Sequence, residues 1–124
     1  MRAVKGADTK PEMAVRRMLH RLGYRYRLHA AGLPGKPDLV FPSRRKVIFV
    51  HGCFWHQHRC PAAARPASRR EYWDAKLDRN VQRDRRNRRL LRALGWRTLV
   101  VWECQLRAPS RLERRLVDFL NEQE

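Results

Sequence analysis

The spacing of apolar positions along the chain predicts three helices. Each would begin at a capping signal in which Ser or Thr is followed three residues later by Glu, at Thr9–Glu12, Ser68–Glu71 and Ser110–Glu113. Apolar residues then recur every three or four positions, which is the period of an amphipathic helix. Gly23 and Gly95 follow the first two runs and predict where those helices end. The apolar face of the last helix would consist of Leu112, Leu116, Val117 and Leu120.

Four segments between these helices have the patterns of strands. They are Tyr24–Leu28, Asp38–Phe41, Lys46–Val50 and Arg97–Trp102. The last is almost entirely apolar or β-branched, which predicts a central strand. The resulting order is α-β-β-β-α-β-α, and the helix between the third and fourth strands implies a parallel crossover in a mixed sheet. We therefore predict one α/β domain over residues 1–124, with a mixed central sheet flanked by helices.

The long second helix has an unusual polar stripe. At about 100° per residue, one of its faces would carry Tyr72, Lys76, Asn80, Arg83, Asn87, Leu90 and Leu94. The apolar ends of this face suit packing on the sheet, whereas polar groups in its middle need partners. The pattern predicts that this middle, with Asp84 alongside, faces a polar site or DNA. We interpret Arg85, Arg89 and Arg92 on the opposite face as a solvated basic surface.

The net charge of +17 narrows the class of partner. Such an excess of positive charge repels itself unless a polyanion neutralises it, and most of it is arginine, whose planar fork suits phosphate. Nucleic acid is the predicted partner, and a merely soluble basic protein is the alternative. The chain contains no 18-residue apolar run and no apolar segment near its first residues. These features favour a cytoplasmic protein with reduced thiols and no transmembrane helix. An anionic membrane surface is a less favoured partner, because no basic amphipathic segment has the broad apolar face that insertion needs.

The ten residues His51–Cys60, with the sequence HGCFWHQHRC, concentrate the candidate chemistry directly after a predicted buried strand. Three cysteines and one histidine of the chain would make a complete tetrahedral zinc set. That set consists of Cys53, His58, Cys60 and Cys104. Four protein ligands leave no open position, so this zinc would be structural. His56 could take the place of His58, and buried apolar thiols without a metal are the alternative.

Asp38 and two histidines form a second group of candidates. Asp38 begins a strand, where a carboxylate is costly unless it caps a turn or binds a cation, and both explanations remain open. His51 would leave the end of a buried strand, and His56 would lie beside the cysteines. For both histidines the alternative is a loose surface position.

The aromatic residues near this segment are candidates for contact with bases. Phe54 and Trp55 lie between the metal-ligand candidates, and Trp73 begins the long helix. On a basic protein, aromatics on a stiffened loop can stack on bases or wedge between them. Ordinary core packing is the alternative for each of them.

These residues together resemble the very short patch repair (Vsr) endonuclease family. The matching pieces are DTKPE at residues 8–12, LPGKPD at 33–38, VIFVHGCFWHQHRC at 47–60, EYW at 71–73, NVQRDRRN at 80–87 and GWRTLVVWEC at 95–104. The resemblance implies a restriction-endonuclease-like fold and a Mg²⁺-dependent, strand-specific nick in DNA. The substrate it implies is a T·G mismatch left by deamination of 5-methylcytosine, cut on the 5′ side of the thymine.

The resemblance also implies a role for each candidate residue. By position, Asp38 matches a Mg²⁺ ligand, the backbone carbonyl of Val50 a second, and His56 the histidine that handles the proton of the attacking water. His51, Asp84 and Glu12 match other residues of the active-site region. The implied zinc ligands are Cys53, His58, Cys60 and Cys104, and the implied wedge residues are Phe54, Trp55 and Trp73. The predicted DNA contacts of the long helix are Lys76, Asn80 and Arg83.

The expected partner is therefore double-stranded DNA with a T·G mismatch, and mismatch-repair proteins are candidate partners. We expect a monomer in the bacterial cytoplasm, associated with the nucleoid through DNA, because nicking one strand needs one active site. The first residue of this chain corresponds to a position inside the family's N-terminal DNA-contacting arm, so we interpret Met1–Gly6 as a shortened remnant of that arm. The alternatives are a restriction-like nuclease without mismatch preference and a catalytically inactive, zinc-stiffened DNA-binding module.

Overall fold

A computed structural model describes residues 9–28 and 32–122 of the chain, and the segment Met1–Gly6 lies outside this range. The elements are α1 Lys10–Arg21, β1 Arg27–Leu28, β2 Leu39–Phe41, β3 Lys46–His51, α2 Arg70–Ala93, β4 Arg97–Trp102 and α3 Pro109–Asn121, with 3-10 turns at Pro42–Arg44, Pro61–Ala63 and Glu103–Arg107. Their order is the α-β-β-β-α-β-α order that the sequence predicts. Within the described ranges, no helix has the length and apolar character needed to cross a membrane.

The four strands form one mixed sheet in the order β1-β2-β3-β4. The pairs β1–β2 and β2–β3 are antiparallel, and β3–β4 is parallel, from Lys46 opposite Arg97 to His51 opposite Trp102. The helix α2 makes the predicted crossover between the two parallel strands. The prediction of a central position for β4 is wrong, because β4 is an edge strand of the sheet as described. Its apolar character reflects cover on both faces by other elements, which an edge strand can also have.

Helices cover both faces of the sheet. The larger core cluster lies between the sheet and the pair α1 and α3. It contains Val15, Met18, Leu19, Leu39, Phe41, Ile48, Val101, Leu112, Leu116, Phe119 and Leu120. The smaller cluster lies under α2 and contains Val40, Val47, Phe49 and Leu91. Alternate residues of β2 and β3 point to opposite faces of the sheet. Because a core cluster covers each face, residues of both orientations are apolar, and the two strands have nearly continuous apolar sequences.

The start of β3 is tied to the end of α3 by a buried lysine. Lys46 is 3% exposed. Its Nζ donates to the carbonyl oxygens of Phe119 at 2.6 Å and Leu120 at 3.3 Å, and to that of Glu122. The last carbonyls of a helix lack intrahelical donors and carry partial negative charge, so they suit a buried ammonium group. This contact holds α3 against the strand that leads to the candidate site.

The helix starts differ from the prediction in two cases. Thr9 caps α1 as expected, because its hydroxyl accepts the Glu12 N–H at 3.3 Å. No side-chain hydrogen bond caps α2 or α3. Ser68 lies ahead of α2, separated from it by Arg69 at φ 55°, and Ser110 lies inside α3. Pro109 supplies the fixed φ of a first helical residue, so α3 begins two residues earlier than a cap at Ser110 would indicate.

The prediction for the apolar ends of the α2 stripe is also wrong. Leu90 is 44% exposed and Leu94 is 54% exposed, whereas Leu77 and Leu91 are fully buried. The two buried leucines are 14 residues apart, close to a whole number of turns, so the buried side of α2 is one narrow line. This geometry leaves the polar middle of the stripe beside the sheet, facing a groove.

The first strand is shorter than the predicted Tyr24–Leu28, since only Arg27–Leu28 pairs with β2 among the described residues. The two tyrosines before it pack on helices instead. The Tyr24 hydroxyl lies 3.0 Å from Asn121 Oδ1, and the Tyr26 hydroxyl donates to the Arg16 carbonyl at 3.4 Å.

Candidate active site and metal-binding cluster

An open groove of about 930 Å³ lies at the carboxyl end of β3. It is bounded by the start of α1, the loop before β2, the segment after β3 and the middle of α2. Ten of the predicted site residues line it, namely Glu12, Asp38, Val50, His51, Trp55, His56, Lys76, Asn80, Arg83 and Asp84. Phe54, Trp73 and the four zinc-ligand candidates lie outside its lining. The structure thus brings together residues that span most of the chain.

Asp38 reaches the groove because β2 and β3 are antiparallel. The residue before β2 then lies beside the end of β3, and Asp38 Oδ2 accepts the Val50 N–H at 2.7 Å. This bond fixes the carboxylate next to the last residues of β3. The bond is to an N–H group of a strand and is not the cap of a turn, and the carboxylate also lines the groove, where it could bind a cation.

The loop before Asp38 approaches α2 at a glycine. Gly35 has φ +77°, and a Cβ added there would lie 3.0 Å from Asn87 Cβ. A side chain at this position would be strained by the backbone and crowded by the helix. The glycine therefore lets the loop close the groove against α2.

The two imidazoles of the groove are stacked on each other. The ring centroids of His51 and His56 are 3.7 Å apart, with an interplanar angle of 7°. His56 Nδ1 lies 2.6 Å from Asp84 Oδ2. An ionised carboxylate only accepts hydrogen bonds, so the proton of a neutral His56 is on Nδ1 and its Nε2 is free to accept one. The three side chains could alternatively hold a metal together, since their ligand atoms lie within 4.8 Å of one another.

His51 is held in its neutral form. It is 5% exposed. Burial lowers its pKa to about 3, and the neighbouring His56 and Arg88 act in the same direction, against the opposite effect of Asp84. Its Nδ1 is buried and has no hydrogen-bond partner in the described part of the protein. A buried polar atom of this kind requires a water, an ion or a substrate group as its partner.

Further carboxylates line the same groove. Glu12 is 1% exposed and pairs with Arg16 one turn later in α1. Glu103, which sequence reasoning missed, follows β4 directly. The parallel register places Trp102 opposite His51, so the residues that follow both strands meet at one edge of the sheet. With Asp38 and Asp84, these residues give the groove four carboxylates, the oxygen ligands that hard divalent cations prefer.

The three cysteines and His58 converge on one point beside the groove. Their ligand atoms lie within 4.8 Å of one another, and His58 Nδ1 is 3.7 Å from Cys53 Sγ and 3.4 Å from Cys104 Sγ. Cys60 completes the set. His58 is the histidine beside the cysteines, whereas His56 is paired with Asp84. The ring of His58 also stacks on Trp102, with centroids 4.3 Å apart.

This donor set fits zinc. Three sulfur atoms and one imidazole nitrogen are a tetrahedral set that leaves no open position. Burial raises the pKa of the Cys53 thiol to about 12, and hydrogen bonds with the neighbouring Cys60 and Cys104 side chains act in the same direction. The buried Cys53 thiol is therefore neutral by itself, and a divalent cation would stabilise its thiolate.

The aromatic residues form a cluster at the edge of the groove. The ring centroids are 5.1 Å apart for Phe54 and Trp55, 5.5 Å for Phe54 and Trp73, and 5.9 Å for Trp55 and Trp73. All three side chains are half-buried, and Trp55 lines the groove. Lys76 Nζ lies 5.6 Å from the Trp55 ring centroid, and Asn80 Nδ2 donates to the Trp55 carbonyl at 3.3 Å. The rings pack on one another and remain partly accessible.

An arginine that sequence reasoning missed holds the aromatic loop against α2. Arg65 donates to Gln57 Oε1, Asp74 Oδ1 and Asp78 Oδ1, each at 2.7 Å. Gln57 in turn donates to the Phe54 carbonyl at 2.8 Å. The two aspartates raise the pKa of Arg65 through these hydrogen bonds. The low-complexity sequence around Arg65 gives no signal of this contact, because its partners lie on a different element.

Comparisons with known proteins identify relatives of the whole chain. The family model described as DNA mismatch endonuclease Vsr matches residues 1–62. The type II nicking enzyme V.XorIIP of Xanthomonas oryzae pv. oryzae is 52% identical over 121 residues, covering 98% of this chain and 89% of that protein. The DNA mismatch endonuclease Vsr of Escherichia coli K12 is 46% identical over 123 residues, covering 98% of this chain and 79% of that protein.

A solved structure shares the fold. The catalytic domain of homing endonuclease I-Bth0305I superposes with a TM-score of 0.64 at 19% identity, covering 90% of this chain and 94% of that domain. This likeness confirms the restriction-endonuclease-like fold that the resemblance to the family implies. From the family model and the relatives that span nearly the whole chain, we conclude that this protein belongs to the Vsr family and is a DNA endonuclease.

Proposed function

We propose that the groove is the catalytic centre of a Mg²⁺-dependent endonuclease that nicks DNA on the 5′ side of the thymine in a T·G mismatch. The observation that carries the proposal is the grouping of Asp38 with His51, His56 and Asp84 at one end of β3. The names of relatives support it, since one is a DNA mismatch endonuclease and several others are nicking enzymes.

In this proposal Asp38 and the backbone carbonyl of Val50 hold Mg²⁺. The oxygen-rich lining of the groove, which includes Glu12 and Glu103, fits a hard cation. When bound, the cation supplies charge neutralisation at the phosphate and makes a bound water more acidic. Asp38 is well suited to this role because its bond to the Val50 N–H orients the carboxylate.

His56 acts as the general base. Its Nε2 accepts the proton of the water that attacks the phosphorus, while Asp84 holds the Nδ1 proton and stabilises the imidazolium that forms. The bond from phosphorus to the leaving sugar oxygen breaks as the new P–O bond forms, and that oxygen takes a proton from solvent. The neutral state of His51 matters here, because a charged ring stacked on His56 would oppose its protonation. His51 Nδ1 remains available for a water or a phosphate oxygen.

The aromatic cluster and the polar face of α2 provide the DNA contacts. Phe54, Trp55 and Trp73 wedge beside the mismatch, where a mispaired step costs less to unstack than a paired one. On α2, Lys76 and Arg83 contact phosphates, and Asn80 holds the Trp55 backbone. A zinc ion held by Cys53, His58, Cys60 and Cys104 would stiffen the loop that carries the wedge.

We further propose that the protein acts as a monomer on DNA in the bacterial cytoplasm, with mismatch-repair proteins as partners. A strand-specific nick needs one active site and no second copy. The net charge of +17 suits association with DNA at the nucleoid.

The test is a nicking assay with Mg²⁺ on a T·G duplex, a matched methylated duplex and a single strand. We expect wild type to nick the T·G duplex, and Asp38→Asn to be slower by a factor on the order of 10³. Asparagine keeps an acceptor for the Val50 N–H, so the variant tests the charge of the carboxylate. Asp118→Asn on the exposed side of α3 is the matched control.

Three other outcomes of this assay would lead to different conclusions. Equal nicking by wild type and Asp38→Asn would overturn the assignment of Asp38. Equal cleavage of the T·G and matched duplexes would indicate a restriction-like nuclease without mismatch preference. Tight binding without nicking under any divalent cation would indicate a DNA-binding module.

A further inference from the structure

The solvent side of α2 carries a continuous group of arginines. We call it the arginine face, and it consists of Arg79, Arg83, Arg85, Arg86, Arg88, Arg89 and Arg92. Together with Gln82 these side chains surround a shallow concavity of about 920 Å³ that has no acidic residue in its lining. All but the half-buried Arg88 are exposed. This surface lies outside the groove described above, except where the two meet.

The arginine face is not neutralised by any carboxylate of the residues that the structure describes. Other arginines do have acidic partners, as Arg16 has Glu12, Arg21 has Glu113 and Arg97 has Glu122. None of the seven arginines of the face forms an ion pair with a carboxylate in residues 9–28 and 32–122. The nearby aspartates of α2 have other partners, His56 for one and Arg65 for two.

Repulsion between the arginines of this face lowers the stability of the helix α2 that carries them. Like charges three or four residues apart repel one another, and Arg85, Arg89 and Arg92 have this spacing. A bound polyanion would remove the repulsion. The guanidinium group also matches phosphate geometry with two parallel hydrogen bonds, which an isolated lysine cannot offer.

The face is continuous with the groove. Arg83 and Arg88 line both the groove and the concavity, so the two surfaces share these residues. From Arg79 to Arg92 the helix rises about 20 Å, and duplex DNA carries about a dozen phosphate charges over that length. A duplex whose scissile phosphate lies in the groove therefore has phosphates within the span of this helix.

We propose that the arginine face is a second DNA-binding surface, which holds the phosphate backbone of the duplex outside the groove. It contributes affinity without reading sequence, because phosphate contacts fix position and carry no base information. The proposal rests on the groove being the catalytic centre, since that fixes where the flanking duplex lies.

The test compares the salt dependence of DNA binding. The variant Arg85→Gln/Arg89→Gln/Arg92→Gln changes the arginines farthest from the groove and keeps residues that favour helix. The matched control is Arg111→Gln/Arg114→Gln/Arg115→Gln, which removes the same charge from the exposed side of α3. Binding to a matched duplex of about 30 base pairs, roughly three helical turns, is measured by fluorescence anisotropy without Mg²⁺ over a series of salt concentrations.

We expect the plot of log K against log salt to be shallower by about 2.7 for the α2 variant, or about 0.9 per lost contact. The α3 control should retain the wild-type slope. An unchanged slope in the α2 variant, or an equal decrease in both variants, overturns the proposal. Because this assay needs neither nicking nor a mismatch, its result is separate from that of the nicking assay.

Discussion

Stacking and burial give the two imidazoles of the groove different properties. His51 is buried and neutral, with a pKa lowered to about 3, whereas His56 is half-buried and bonded to a carboxylate. A base that must accept a proton near neutral pH benefits from a neighbour that stays uncharged. The proton acceptor of the proposed reaction is therefore His56 Nε2, with Asp84 as the residue that positions it.

Asp84→Asn tests this positioning role. We expect the single-turnover nicking rate to fall by about 10²-fold or more, because an amide does not stabilise the imidazolium and can favour the wrong tautomer. The Kd for the T·G duplex should stay the same or decrease, since one negative charge leaves the groove. Rate and binding are measured on the same preparations, with Asp118→Asn as control. A normal rate in Asp84→Asn would remove Asp84 from the mechanism.

Among the elements of the fold, the carboxyl end of β3 positions residues of both the groove and the metal-binding cluster. The strand delivers His51 to the groove, and Cys53 follows at the metal-binding cluster. Its parallel partner β4 ends at the same edge and delivers Glu103 to the groove and Cys104 to the cluster. Two adjacent strand ends therefore supply both centres, which fixes one relative to the other.

Arg65 has a comparable effect on the loop that carries the aromatic residues. Arg65→Gln should lower the free energy of unfolding by less than about 1 kcal/mol, because the two aspartate partners of Arg65 are partly exposed. The loop would lose its tie to α2, so we expect the preference for T·G over matched duplex to fall several-fold. Denaturant melts and competitive nicking measure the two effects. Arg21→Gln, which breaks a surface ion pair with Glu113, is the control. Unaltered mismatch preference in Arg65→Gln would contradict this role.

The sequence predicts the order of elements and one strand pairing, and it misses contacts between elements that lie far apart along the chain. The order of elements follows from periods of two and 3.6 residues, and the parallel pair β3–β4 follows from the helix between them. The meeting of Asp38 with His51 and His56 is implied by the family resemblance and depends on the antiparallel pairing of β2 and β3. The edge position of β4 and the contacts of Arg65 depend on which elements meet in space. Glu103 had a usable signal, its place directly after the parallel strand, which the prediction did not use.

At the scale of the whole molecule, two groups of acidic side chains stand out among the described residues. Carboxylates line the groove, and Asp74 and Asp78 hold Arg65. The arginine face has no acidic partner in the part of the chain that the structure describes. In this protein of net charge +17, negative groups thus lie in the groove, where a cation would neutralise the scissile phosphate. Positive groups lie along α2, where the flanking duplex would bind.

The metal-binding cluster, which consists of Cys53, His58, Cys60 and Cys104, lies beside the groove. We expect removal of its zinc to lower the stability of the whole protein. The cluster joins the segment after β3 to the turn after β4, with Cys53 and Cys104 each next to His58. Because thiols that lose their metal remain buried and uncoordinated, we expect one zinc per chain and a Tm lower by about 10 °C or more after chelation.

Chelation also removes Mg²⁺, so nicking is assayed after Mg²⁺ alone is restored. We expect activity to remain lost, because the loop with Trp55 and His56 is no longer held. His58→Gln should reproduce both effects, whereas His20→Gln, at an exposed position on α1, should reproduce neither. A chelated protein with unchanged Tm and full activity in Mg²⁺ would show that the cluster is a group of free thiols, and the rigidity of the wedge would then depend on Arg65 and the packing of α2.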